Sequence, residues 1–101
     1  NRFEDEYADL IIAKTLNLEK SLSKCKNLQN DNLLGVSFDS LGLNLLSTDK
    51  PEHIKYAKEC FIKALKLLEP IYLIKGSDGK AIDQPKIDQI KLQIKTLLMH
   101  E

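Results

Sequence analysis

The feature that most constrains this 101-residue chain is the stretch YAKECFIKALKLLEP, Tyr56 to Pro70. With Ile54 before it, the residues Ala57, Phe61, Ala64, Leu65 and Leu68 recur at intervals of three and four. That spacing lines side chains along one face of a helix. Two alanines flank a phenylalanine on this face, so a second helix must come close at the alanines and make room for the ring. Lys55, Lys58, Glu59, Lys63 and Lys66 fall elsewhere on the helix and form a solvated face. The preceding DKPE predicts the start: Asp49 as cap, Glu52 reaching back to it, and Pro51 in the first turn, where amides are free anyway. Pro70 is expected to end or kink the helix, and Ile71 to Ile74 to add a turn or a short extended piece.

Three further helical segments surround this one. The first is expected from about Phe3 to Gln29. Tyr7, Ile11, Leu18, Leu22 and Cys25 form its stripe, widened by Phe3, Leu10, Ile12, Leu16 and Leu28. Glu4, Asp5 and Glu6 sit in its first turn, where the helix dipole favours anions. Asn27, Asn30, Asp31 and Asn32 read as a polar break. The second segment, Leu33 to about Leu46, carries Leu34, Phe38, Leu41 and Leu45 at helical spacing. Gly35 and Gly42 each cost up to about 1 kcal/mol against alanine in a helix. A glycine kept there lets another backbone approach. KGSDGKAID reads as a loop. Asp83 then caps a last helix with Pro85 in its first turn and Ile87, Ile90, Ile94, Leu97 and Leu98 as its stripe. Only Ile71 to Ile74 offers a competing strand pattern. The expected fold is all-α: a small antiparallel bundle of about four helices in one domain, residues 1–101.

Composition excludes several function classes. Apolar residues are 43% of the chain, enough for one modest core. Fifteen basic and fifteen acidic side chains cancel, which argues against a dedicated nucleic-acid binder. No apolar run approaches the ~18 residues that cross a bilayer, so no membrane insertion is expected. The first residue is Asn1, which suggests a domain excised from a longer chain. Two cysteines, Cys25 and Cys60, fit a reducing, intracellular compartment, cytoplasmic or nuclear, better than a disulfide between facing helices.

The order of small and bulky residues resembles a tetratricopeptide repeat. Ala57, Phe61 and Ala64 match the second helix of that repeat, with Pro70 one residue late. Phe38, Leu41, Gly42 and Leu45 match its first helix. The link through Thr48, Asp49 and Lys50 is about three residues longer than the pattern, and one repeat-like unit, residues 34–70, is visible. The same hairpin also resembles the microtubule-interacting-and-transport domain, a three-helix bundle that receives partner motifs in its grooves. Either resemblance implies partner binding. Carried over from the repeat, the partner-facing positions are Val36, Asp39, Leu43 and Leu46. In a chain this small, burial under helix one or four is the favoured state at those positions.

No group of residues points to a reaction. GVSFD puts Asp39 where a nucleophile elbow needs glycine, and no strand precedes it. GSDGK lacks phosphate-loop spacing. His53 and Cys60 share a helix face, but two ligands do not make a zinc site, and His53 reads as a surface residue of the first turn. No catalytic residue, metal or cofactor is expected. Lys55, Lys58, Lys63, Lys66, Lys86, Lys91 and Lys95 could combine into a basic surface, although a solvated face is the simpler account. The reading reached is a non-catalytic adaptor or scaffold module that holds a segment of a partner protein between helices. The alternative is an oligomerisation domain in which Ile87, Ile94 and Leu98, or the outer stripe of helix one, pair with another copy.

Overall fold

The computed structural model describes the backbone of residues 2–100 and the side chains of residues 5–100. Among the described residues the architecture is all-α, with four helices in the order α1 (Arg2–Leu22), α2 (Leu28–Leu46), α3 (Pro51–Tyr72) and α4 (Gln84–Met99). Sequential helices pack as neighbours: α1 on α2, α2 on α3, and α3 on α4. Ion pairs join alternate helices, Glu19 of α1 to Lys63 of α3 at 3.2 Å and Asp39 of α2 to Lys86 of α4 at 2.6 Å. The principal extents are 49 × 34 × 18 Å. Packed helices lie about 8–10 Å apart, so the short dimension is about two helices deep. The radius of gyration, 14.5 Å, exceeds the ~13 Å of a compact domain of this length. The molecule is therefore elongated, and the outward sides of α1 and α4 are its open edges.

The α2–α3 hairpin is the centre of the fold. Phe38, Leu41 and Leu45 of α2 and Ala57, Phe61, Ala64 and Leu68 of α3 are each at most 1% exposed. The two glycines do what their place in an apolar helix requires. A Cβ on Gly42 would lie 2.8 Å from the Phe61 ring, and one on Gly35 would lie 2.6 Å from the Leu68 side chain. Ile87 and Ile90 of α4 complete the core from one side and Ala8 of α1 from the other.

Three local expectations need correction. The break after α1 comes earlier, at residues 23–27, and α2 begins at Leu28. Asn27 is the reason: its side-chain oxygen accepts from the Asn30 amide at 2.8 Å, so Asn30, Asp31 and Asn32 belong to the start of a helix rather than to a loop. The stripe of α1 is also rotated. Ala8 and Thr15 are its buried residues, at 3% and 6% exposure, whereas Tyr7 is 54% exposed and Cys25 lies on the surface. Thr15 can be buried because its hydroxyl donates to the Ile11 carbonyl at 2.9 Å.

The start of α3 differs as well. Lys50, not Asp49, is the N-cap, and its side chain makes no capping hydrogen bond. Pro51 favours the first helical position and holds the residue before it extended, as the Lys50 angles of −97° and 136° show. Asp49 is left in the turn with a φ of 57°. At the other end α3 runs two residues past Pro70 to Tyr72. Proline deletes only its own amide, and the last turn closes through the Leu73 amide on the Glu69 carbonyl at 3.1 Å. The 73–83 loop is closed by Ile82 donating to Ile74 within it and by Asp83 donating to Tyr72 at the end of α3, both at 2.9 Å. Asp83 caps α4 as expected, accepting from the Lys86 amide at 3.1 Å.

Candidate functional site

The four positions on α2 do not form one exposed surface. Val36 and Leu43 are 39% and 42% exposed. Asp39 is buried and takes the Lys86 ammonium. Leu46 packs against the core. Asp39 is drawn toward α4 by Lys86, whereas Val36 and Leu43, seven residues apart on α2, share one more exposed side. Leu33, 48% exposed, extends that side toward the start of α2.

A larger concavity lies where α1 ends, α2 begins and the middle of α3 passes. It is an open groove of about 420 Å³. Its apolar lining is Leu22 from α1, Leu34 from α2 and Leu67 from α3. Lys26, Lys63 and Lys66 stand along it, with Glu19 and Asp31. Lys63 is held in place twice, by Glu19 and by the face of Phe38, whose ring centre is 4.9 Å from the ammonium. The turn beside the groove is fixed by Asn30, whose side-chain amide donates to the Cys25 carbonyl at 2.6 Å. Sequence periodicity missed this groove because Leu22, Leu34 and Leu67 come from three segments; only the tertiary fold brings them together. A second concavity of about 350 Å³ lies between the start of α3 and the end of α4, lined by Pro51, Ile54, Lys58 and Leu97 among others.

The remaining candidates are dispersed. Cys25 and Cys60 are both free thiols, one on the surface and one buried. Burial pushes the Cys60 thiol up to about 12 from an ordinary 9.0. His53 is half-buried, with its Nδ1 2.7 Å from the Thr48 hydroxyl. No group of three or more His, Cys, Asp or Glu side chains with metal-binding geometry occurs among the described residues. Lys63 and Lys86 are paired as above, and Lys91 pairs with Glu69 at 2.9 Å. Lys50 pairs with Asp5, which lowers the Asp5 carboxyl and raises the Lys50 ammonium from their ordinary values through that hydrogen bond.

No helix among the described residues is long and apolar enough to cross a membrane. Comparison with known proteins returns no matching family model, no matching curated protein and no matching solved structure.

Proposed function

We infer that this chain is a non-catalytic protein-interaction module that holds a segment of a partner protein in a groove between helices. The observation that carries this reading is the groove of about 420 Å³ with leucines from three helices in its lining and charged side chains along it. Apolar concavities bounded by placed polar groups suit the anchors of an amphipathic segment. The repeat-like spacing of Phe38, Gly42, Ala57 and Phe61 supports the same reading by resemblance. So does the elongated two-layer shape, which leaves concave surface on a small domain. The exposed Val36 and Leu43 offer a second, shallower contact on α2.

The test is capture of partners from lysate on the immobilised domain, beside a Leu67→Glu variant shown by circular dichroism to be folded. Any retained protein is then titrated calorimetrically against both. A stoichiometric partner that binds the natural domain and not the variant supports the module. Recovery of only this chain from both baits refutes it and favours self-association.

The oligomerisation reading rests on α4, where Leu92, Leu98 and Met99 are 64%, 51% and 74% exposed. Ile87 is fully buried within the chain, and Ile94 is partly buried against its core. A concentration-dependent mass in sedimentation, abolished by Leu92→Lys with Met99→Lys, would favour this alternative.

A further inference from the structure

We propose that the groove between α1, α2 and α3 takes an acidic amphipathic peptide segment, with its apolar side chains on the half-buried Leu22 and Leu67 and its carboxylates on Lys26 and Lys66. This rests on the interaction-module reading and names the chemistry of its partner.

Charge complementarity selects the occupant. Three lysines line the groove against two carboxylates, Glu19 and Asp31. Glu19 is already matched by Lys63 at 3.2 Å. Lys26 and Lys66 are exposed and have no ion-pair partner among the described residues. Asp31 sits in the first turn of α2, where the helix dipole compensates it. Lys20 and Lys24, close by in the chain at the end of α1, add to the same sign. The groove lining therefore carries a formal charge of +1 in a protein whose total charge is zero.

The leucines decide against a purely anionic ligand. A phosphate backbone would use the lysines and leave the half-buried Leu22 and Leu67 uncovered, whereas Leu34 is already buried. A helix turn with leucine or isoleucine at spacings of three and four uses both. The chain's own acidic segment at the start of α1 is not free to fill a neighbour's groove. Asp5 is tied to Lys50 and Ala8 is buried in the core.

The experiment is selection of random linear peptides from a display library on the natural domain. The enriched peptides are then synthesised, labelled and titrated against the natural domain, the doubly substituted Lys26→Glu/Lys66→Glu and Val36→Asp/Leu43→Asp. All substituted positions are exposed, so both variants fold, which circular dichroism checks. The expected result is enrichment of sequences that alternate acidic and aliphatic residues at helical spacing. Their binding should weaken by about tenfold or more in Lys26→Glu/Lys66→Glu, since two ion pairs become two repulsions. It should also fall with added salt and be unchanged in Val36→Asp/Leu43→Asp. Binders lost only in Val36→Asp/Leu43→Asp would overturn the groove assignment and leave the module reading intact. No enrichment at all would overturn both. Binding of an RNA oligonucleotide or of anionic phosphatidylserine vesicles, lost in Lys26→Glu/Lys66→Glu while no peptide binds, would assign the lysines to a different ligand and refute the proposal. So would a concentration-dependent dimer abolished by the same substitutions.

Discussion

Gly42 offers the sharpest test of how the hairpin holds together. Replacing a helix-interior glycine by alanine normally gains about 1 kcal/mol, because alanine has the better helix propensity and restricts the unfolded chain. Here the new methyl would sit 2.8 Å from Cε1 and Cζ of Phe61. Carbon atoms in contact prefer about 3.5–4.0 Å, so the ring or the helix axis must give way by about 0.7 Å. Phe61 is 0% exposed, with no open space to swing into, and overpacking of such a site costs about 1–3 kcal/mol. The net expectation for Gly42→Ala is a loss of up to about 2 kcal/mol. At its upper end that corresponds to a fall in Tm of roughly 8–16 °C for a domain of this size. Urea unfolding followed by circular dichroism gives the free energy. The companion variant Phe61→Leu costs about 1–2 kcal/mol alone by leaving space. In the double variant the methyl occupies part of that space, so the combined loss should be smaller than the sum by at least about 0.5 kcal/mol. A stabilised Gly42→Ala, or strict additivity with Phe61→Leu, would show that the helices do not meet at Gly42.

Other expectations follow from single contacts. In native protein a thiol reagent should label Cys25 quickly and Cys60 only after denaturation; two fast equivalents would contradict the burial of Cys60. Because the folded Cys60 thiol titrates near 12 rather than 9.0, the stability it contributes is complete below about pH 9 and is lost as pH rises toward about 12. The slope is about 1.4 kcal/mol per unit, and the stability difference from Cys60→Ala should shift accordingly; a constant difference across that window would refute it. At the Asp39–Lys86 pair, removing the lysine should cost more than removing the carboxylate. Asp39 has a side chain 9% exposed, whereas Lys86 at 28% can turn to water. Lys86→Met should lose about 1–3 kcal/mol in denaturant titration, and an equal or smaller loss than Asp39→Ala would contradict this. Asp83→Ala should cost about 1 kcal/mol through its lost cap. Asp49→Gly should be neutral or stabilising, because Asp49 holds a positive φ and caps nothing; a clear loss would restore it as a cap.

The parts of the fold legible in the sequence are those that depend on contacts within one helix or between two successive ones. Ala57, Phe61 and Ala64 announce a face that another helix must approach, and Gly35 and Gly42 answer it from the preceding helix. Asp83 with Pro85 marks a helix start because cap and proline fall in compatible register. DKPE misleads because Pro51 takes the first helical position and displaces the cap onto Lys50. The rotation of α1 was hidden for a different reason. Its apolar residues almost encircle it, so periodicity alone could not rank Tyr7 against Ala8. Contact with α2 settles the choice in favour of the small residue, and a threonine joins the core once its hydroxyl bonds backward along the helix. The groove was less legible still, since no single segment contains its lining.

Charge carries the same lesson into function. A sum of zero argues against a dedicated nucleic-acid binder, yet it says nothing of how fifteen lysines and arginines and fifteen carboxylates are distributed. The fold uses part of them as cross-links: Lys50 to Asp5, Lys63 to Glu19, Lys86 to Asp39 and Lys91 to Glu69 each join separate segments. Each of these removes one charge of each sign from the surface account. What remains is unbalanced locally. At the groove the Lys63–Glu19 pair cancels within the protein and leaves Lys26 and Lys66 against Asp31, a formal charge of +1 beside the half-buried Leu22 and Leu67. Under the reading proposed above, a partner that supplies carboxylates and aliphatic side chains together satisfies both halves of that surface.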